Sequence, residues 1–354
     1  QTLPKPVHTY KRIYLRITKK ARWSRLQHQA IRRDLSGNLR DITELVNNMF
    51  GGGKTFNPDT DIPSLKDKVV LVTGGNAGLG KESVLQLAKH QPREIFLAAR
   101  TSSKAEAAIA EIKEAVPDCR LTHLHLDLTS FASIKKAADE FVSRSDRLDI
   151  LLNNAGIMAM PYSTTQEGYE IQFGTNHLGH ALLTKLLLPT LLKTAEEPDA
   201  DVRVINVSSE GHQLAPGPGI VYDQAELENW STWRRYGQSK LANIYHAREL
   251  ATRYPTITAT SLHPGVIITD LYRVSHQNFV VRNAMGLAKL VLKDVPAGSK
   301  NQLWAATASK DEVRAGYYWK PVGVRGSGNA NAQNLDKAAE LWRWTEAEFV
   351  KHGY

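Results

Sequence analysis

Tyr236 and Lys240 stand four residues apart in Tyr236-Gly237-Gln238-Ser239-Lys240. On a helix that spacing is one turn, so both side chains leave from one face. An ordinary tyrosine loses its proton at about pH 10 and a lysine at about 10.4, so neither alone is useful near neutrality. An ammonium beside a phenol favours phenolate and draws the tyrosine down, toward the range where it can give and take a proton. Upstream, Val204-Ile205-Asn206-Val207 runs into Ser208-Ser209, where a hydroxyl can donate to a substrate oxygen. Spacing leaves open which serine acts, and whether either does more than cap a turn. Asn176 is a further candidate, read either as a buried amide that orders a water or as a plain structural asparagine.

A second constellation lies far upstream, in Thr73-Gly74-Gly75-Asn76-Ala77-Gly78-Leu79-Gly80. Gly74 permits a tight turn, Gly78 lets backbone approach a phosphate, and Gly80 lets helix and strand pack closely. A helix opening there turns its free N–H groups and partial positive charge toward a dinucleotide's pyrophosphate. Three glycines alone say little. Here they follow the apolar run Val69-Val70-Leu71-Val72 and precede a helical pattern, which is the context a nucleotide site requires. At the end of the next apolar run the chain reads Leu97-Ala98-Ala99-Arg100-Thr101, with Lys104 close by and no acid. An acid there would bind a ribose 2′-hydroxyl, whereas Arg100 suits a 2′-phosphate, so NADP(H) is expected over NAD(H). The alternative is a merely solvated Arg100. Asp127-Leu128 follows the third run and is placed to touch the adenine, although Asp is also a common helix cap.

These motifs need strands to carry them. Strands are expected over 68–73, 94–99, 121–126, 148–152, 202–207 and 256–262. Helices are expected over 81–89, from there after the second strand to about 115, and over 130–143, 169–192 and 236–253. Strands separated by helices call for parallel pairing with right-handed crossovers. Runs that are apolar on both faces indicate a covered sheet. The expected fold is α/β, a single doubly wound Rossmann-type parallel sheet with helices on both faces and ligands at the strands' carboxyl ends.

The 354 residues carry a net charge of +9, and it is unevenly distributed. Residues 1–33 hold ten Lys or Arg and no acid, which leaves 35 bases against 36 acids in the remainder. The basic character therefore belongs to an arm, read as a poorly ordered extension or as an organelle-targeting segment. No basic patch continues into the core, which argues against a nucleic-acid partner. Leu39, Ile42, Leu45, Val46 and Met49 suggest a short amphipathic helix, broken by Gly51-Gly52-Gly53. Residues 1–65 are thus expected to be an extension and connector, and 66–354 the catalytic domain. The single cysteine, Cys119, excludes an intramolecular disulfide and fits a reducing compartment, so a cytoplasmic location is expected unless the arm directs otherwise. No apolar run approaches the roughly 18 residues of a membrane span.

Taken together, the glycine turn, Asn153-Asn154-Ala155-Gly156, Asn176, Ser209, Tyr236/Lys240 and Pro264-Gly265 resemble the short-chain dehydrogenases/reductases of the classical type, over about residues 66–320. Asn176-His177-Leu178-Gly179-His180, Asn206-Val207-Ser208-Ser209 and Tyr236 through Asn243 are most similar to the retinol-dehydrogenase and WW-domain-oxidoreductase branch. The resemblance implies that Tyr236 protonates a carbonyl oxygen while hydride arrives from a nicotinamide. It implies that Lys240 holds the ribose hydroxyls, that Ser209 polarises the carbonyl and that Asn176 positions water in a relay toward Lys240. It also implies cofactor contacts at Gly74, Asn76, Gly78, Leu79, Gly80, Asn153, Ala155, Gly156, Pro264, Gly265, Val266 and Thr269. His177 and His180 read as packing residues, and no metal-ligand cluster stands out. Dimers and tetramers occur in that family, so a homo-oligomer is left open.

Substrate loops are expected over 211–235, with Pro216, Pro218, Tyr222, Trp230 and Trp233, and over 269–298, with Leu271, Tyr272, Phe279 and Met285. Their aromatic content favours an apolar or ring-bearing carbonyl or alcohol. The competing class is a non-catalytic NADP(H)-binding sensor or interaction protein on the same fold.

Overall fold

The computed structural model of the protein describes residues 53–265 and 294–354. The basic arm, the helix expected near its end, Val266, Thr269 and most of the second substrate loop lie outside the described residues.

Eight strands form one sheet among the described residues. They are β1 (Val69–Thr73), β2 (Glu94–Ala99), β3 (Leu121–His125), β4 (Ile150–Asn153), β5 (Val202–Val207), β6 (Ile257–Leu262), β7 (Tyr318–Lys320) and β8 (Val324–Gly326). Their order is β3-β2-β1-β4-β5-β6-β7-β8, parallel throughout except for the antiparallel β7–β8 pair. The order reverses between β1 and β4, where ligands of such sheets bind. The doubly wound parallel sheet expected from the sequence is present, with β8 added antiparallel at one edge. The short turn between Lys320 and Val324 leaves no room for a crossover, so β8 can only fold back on β7.

The period of two along each strand sends neighbouring residues into different cores. Val69, Leu71, Phe96 and Leu151 face α3 (Phe131–Arg144), α4 (Gly179–Ala195), α5 (Thr232–Arg253) and α7 (Leu335–Lys351). Val70, Val72, Leu97 and Leu152 face α1 (Gly78–Ala88), α2 (Ser102–Ala115) and α6 (Val295–Thr307). Each fully buried Val or Leu contributes about 1.5–3 kcal/mol, so the two faces anchor the sheet independently. Side chains cap the helices where the sequence supplies them: Ser130 for α3, Ser231 for α5, Asp294 for α6 and Asn334 for α7.

Three features depart from expectation. The connector is part of the core, because Phe56, Ile62 and Leu65 are buried against α1 and Lys54 N–H donates to the Val322 carbonyl at 2.9 Å. The long helix expected over 169–192 starts as a short turn at Ile171–Phe173 and passes through a π-helical turn, Gly174–Leu178, before α4. Helix α5 starts four residues before Tyr236, so the catalytic pair sits inside a formed helix. No helix among the described residues is long and apolar enough to cross a membrane.

Candidate active site

A cleft of about 590 Å³ crosses the carboxyl ends of β1, β2, β4 and β5. Gly74, Asn76, Gly78 and Leu79 line one end, with Arg100, Asp127 and Leu128 beside them. Ala155 and Gly156 form the middle, and Ser209, Tyr236, Lys240, Pro264 and Gly265 the other end.

The glycine turn is built as its sequence demands. Gly74 and Gly78 have φ of 66° and 52°, a region that ordinary residues avoid. At Gly80 a Cβ would stand 2.3 Å from the Gly74 carbonyl oxygen, so Gly80 serves close packing and does not itself line the cleft. Helix α1 begins without a side-chain cap, since Ala77 has no acceptor, and no acid lies in its first turn. Its open N–H groups and positive dipole end face the cleft, which fits an anionic phosphate.

Thr73 organises the floor. Its hydroxyl oxygen accepts the N–H groups of Asn154 and Ala155 at 2.9 and 3.0 Å. His180 Nδ1 donates to the Asn176 carbonyl at 3.0 Å, so its Nε2 is the acceptor for the Thr73 hydroxyl at 2.8 Å. Burial pushes His180 down to about 4 and keeps it neutral in this role. Asn153 faces away from the cleft: its amide donates to Thr184 and Asn206 inside the core. Its neighbour Asn154 lines the cleft instead and donates to the Thr73 carbonyl at 2.8 Å.

At the other end, the Lys240 ammonium lies 5.8 Å from the centre of the Tyr236 ring. Lys240 Nζ donates to the Val207 carbonyl at 3.0 Å, and burial pushes the amine down to about 8. The two serines separate clearly. Ser208 is buried and donates to the Lys240 carbonyl at 2.7 Å. Ser209 Oγ accepts the Gly211 N–H at 3.0 Å, which leaves its proton for another acceptor. A Cβ at Gly211 would stand 3.3 Å from Ser209 Oγ and 2.7 Å from Tyr236 Cε1, so the hydroxyl and the ring flank one position.

Asn176, in the π-helical turn, is fully buried and does not line the cleft. Its Oδ1 accepts Ile157 N–H at 2.8 Å, and its Nδ2 donates to the Ile157 carbonyl and to Ser239 Oγ, each at 2.9 Å. Ser239 Oγ in turn donates to the Tyr236 carbonyl at 2.8 Å. Asn176 thus ties the segment after β4 to the turn of α5 that carries Tyr236. Its Oδ1 and Lys240 Nζ face one another across the space a side chain at Gly156 would fill, 3.2 and 3.3 Å from that Cβ.

Several cleft residues had no signal in the motif reading. Ile157, Met158, Met160 and Ile171 give the cleft an apolar wall. The first three follow β4 directly, so the rule that ligands sit beyond strand ends would have found them. Glu210 backs the site: its Oε1 accepts the Tyr318 hydroxyl at 3.0 Å and lies 3.2 Å from His263 Nε2. Burial works to raise this carboxyl, but the imidazoles of His263 and His212, Lys320 and the Tyr318 hydroxyl outweigh it and hold it low. None of the aromatics of the expected loop over 211–235 is among the described residues that line the cleft. Tyr222 packs on Trp344 with ring centres 4.9 Å apart, and Val221 exchanges two hydrogen bonds with Gln238. These contacts hold the segment against α5 and α7. Thr232 reaches the site only indirectly, donating to the Met160 carbonyl at 2.6 Å.

Known proteins resemble this chain in sequence and in fold. The short chain dehydrogenase family model matches residues 68–278. An uncharacterized oxidoreductase of Schizosaccharomyces pombe is 39% identical over 303 residues, covering 83% of this chain and 88% of that protein. Retinol dehydrogenase 12 of Mus musculus is 35% identical over 299 residues, covering 84% and 90%. The crystal structure of NADPH bound carbonyl reductase from chicken fatty liver is 26% identical with a TM-score of 0.53, covering 72% of this chain and 96% of that one. With the family model matching more than half of the chain and relatives 35% and 39% identical over most of its length, the chain belongs to the short-chain dehydrogenase/reductase family of oxidoreductases.

Proposed function

We propose that the protein is an NADP(H)-dependent oxidoreductase that interconverts a carbonyl and an alcohol on an apolar or ring-bearing small molecule. The observation that carries this reading is the meeting of Tyr236, Lys240 and Ser209 at one end of a cleft whose other end holds an uncapped helix N-terminus and Arg100. The open amides of α1 suit a pyrophosphate, and the exposed Arg100 guanidinium suits a 2′-phosphate. Ala155, Gly156, Pro264 and Gly265 would flank the nicotinamide end, with Val266 and Thr269 carried by the resemblance alone.

Bound in this cleft, NADP(H) supplies or accepts the hydride. The chain's own residues handle the proton and the charge. In the reductive direction Tyr236 Oη gives its proton to the carbonyl oxygen, and in the oxidative direction it takes that proton back. The Lys240 ammonium, when charged, stabilises phenolate at Tyr236 and so makes the phenol a better acid. The Ser209 hydroxyl donates to the same substrate oxygen as charge develops there. Asn176 positions Ile157 and the Tyr236 turn, and its place opposite Lys240 across Gly156 suits a proton path to the amine. Ile157, Met158, Met160 and Ile171 favour an apolar substrate body, and unbranched methionines adapt to varied shapes.

The test is a screen of ketones, aldehydes and alcohols, apolar and polar, with NADPH and NADH in parallel. Turnover of apolar ring-bearing carbonyls with a preference for NADPH is expected. Stoichiometric NADPH binding with no turnover across the panel would instead favour the sensor reading, and a preference for NADH would overturn the cofactor assignment.

A further inference from the structure

On the sheet face opposite α1, helices α4, α5 and α7 line a second cavity of about 210 Å³, with part-exposed Lys185, Leu188, Trp342 and Glu346 at its edge. It shares no lining residue with the active-site cleft. Ala181, Leu188, Leu250, Leu341 and Phe349 supply apolar walls. Trp342 and His246 lie stacked along one side, their rings 17° from parallel and 5.6 Å apart.

Apart from one ion pair, the polar groups in this cavity are few and neutral. His246 Nδ1 faces the Asn206 amide nitrogen at 3.1 Å, and the Asn206 carbonyl oxygen is already taken by Asn153. The amide therefore donates, His246 Nδ1 accepts, and the imidazole proton sits on Nε2. That N–H finds no hydrogen-bond partner among the described residues. His177 is almost fully buried; its Nε2 stands 3.5 Å from the Thr345 hydroxyl, and its Nδ1 has no partner among the described residues. Burial holds both imidazoles uncharged, His246 at about 3 and His177 well below the usual range. The only charges on the lining are Lys185 and Glu346, and they pair with each other. A ligand acceptor that meets the His246 Nε2–H contributes about 0.5–1.5 kcal/mol net.

We infer that this cavity is a second binding site, for a small neutral molecule with one aromatic ring and one hydrogen-bond acceptor. The ring fits between the aliphatic wall and Trp342, and the acceptor meets His246 Nε2–H. Size sets the limit: a dry apolar cavity of about 150 Å³ accommodates benzene, so this one takes a single ring with a short substituent. Charged ligands are excluded, because nothing in the lining is left to pair with them.

Benzamide is the probe, since its carbonyl accepts a hydrogen bond and is not a substrate for hydride transfer. Toluene is the control of similar shape without an acceptor. Ligand-observed NMR on the full chain, with and without saturating NADPH, is expected to give benzamide a Kd of about 1 mM, unaffected by NADPH. Toluene should bind about tenfold more weakly. Ala338→Phe, which fills the cavity, should abolish binding of both; if that variant does not fold, Leu188→Phe serves the same end. His246→Phe should bring benzamide down to the level of toluene. Absence of saturable binding, displacement of benzamide by NADPH, or binding that survives the filling substitutions would each overturn the site. Equal affinity for benzamide and toluene would overturn the role of His246.

Discussion

The Lys240 amine lies 3.0 Å from the carbonyl oxygen of Val207, the last residue of β5. Asn243 Nδ2 donates to the same oxygen at 3.1 Å, and Ser208 returns a bond to the Lys240 backbone at 2.7 Å. The strand end that carries Ser209 and the helix that carries Tyr236 are therefore clamped together from both sides. The clamp sets the distance between proton donor and hydroxyl before any ligand arrives. It also confines a cation, and burial is what pushes Lys240 down to about 8.

That confinement predicts a trade between stability and activity in the protein without cofactor. With the folded-state value depressed from 10.5 to about 8, the amine is charged in both folded and unfolded chains below about pH 8. The cost of the buried charge, about 3 kcal/mol, is fully present there and fades as pH rises toward about 10.5. Lys240→Met should remove the cost, so that at about pH 7 the variant resists denaturant better than the parent and turns over poorly. At about pH 10 the two should differ little in stability. Chemical denaturation at both values is the measurement, and a variant less stable than the parent at pH 7 contradicts the account.

Tyr236→Phe keeps the ring that Gly211 packs against and removes only the hydroxyl. We expect kcat to fall by about 10²–10⁴ while the Kd for NADPH, followed by fluorescence, is unchanged. A near-normal rate would refute the assignment of the proton to this residue.

The serines should separate by readout. Ser208→Ala loses a buried hydrogen bond and should cost about 1 kcal/mol of stability, leaving turnover per folded molecule almost unaltered. Ser209→Ala should lower kcat by about 10²-fold with substrate saturating. The reverse pattern would exchange their roles.

Arg100→Ala removes a charge that suits a 2′-phosphate. The expected result is an NADPH Kd raised by about 10–100-fold with NADH binding unaltered. Equal weakening of both cofactors would make Arg100 a general electrostatic contributor and remove the basis for the NADP(H) preference.

Gly211→Ala would place a methyl 2.7 Å from Tyr236 Cε1. The ring has to move, so kcat should drop by about tenfold or more, because small displacements of a proton donor are costly. The thermal transition, followed by circular dichroism, should remain cooperative.

Much of this site was legible because its parts are local. A strand run, a glycine turn and a one-turn Tyr/Lys pair each sit within a dozen residues, and the sheet follows from their alternation. What was not legible depended on partners far along the chain. Asn153 and Asn154 are equivalent in a sequence; only Thr184 and Asn206 decide that the first turns inward. Ser208 and Ser209 are distinguished in the same way, by the Lys240 carbonyl. Tyr222 reads as part of a loop over the cleft, but Trp344 packs against its ring and Gln238 bonds its neighbour Val221. β7 and β8 span three residues each, too short for a periodic signal.

The β7–β8 fold-back also shapes one border of the sheet. An open sheet offers unpaired backbone groups along its margins, and long flat apolar margins recruit strands from other chains. Here one margin is a three-residue ribbon, Val324-Arg325-Gly326, with the Arg325 guanidinium laid over Tyr317. The opposite margin, β3, alternates Leu with Thr122, His123 and His125. Among the described residues neither border gives a long greasy template, so fibrous stacking between copies is disfavoured.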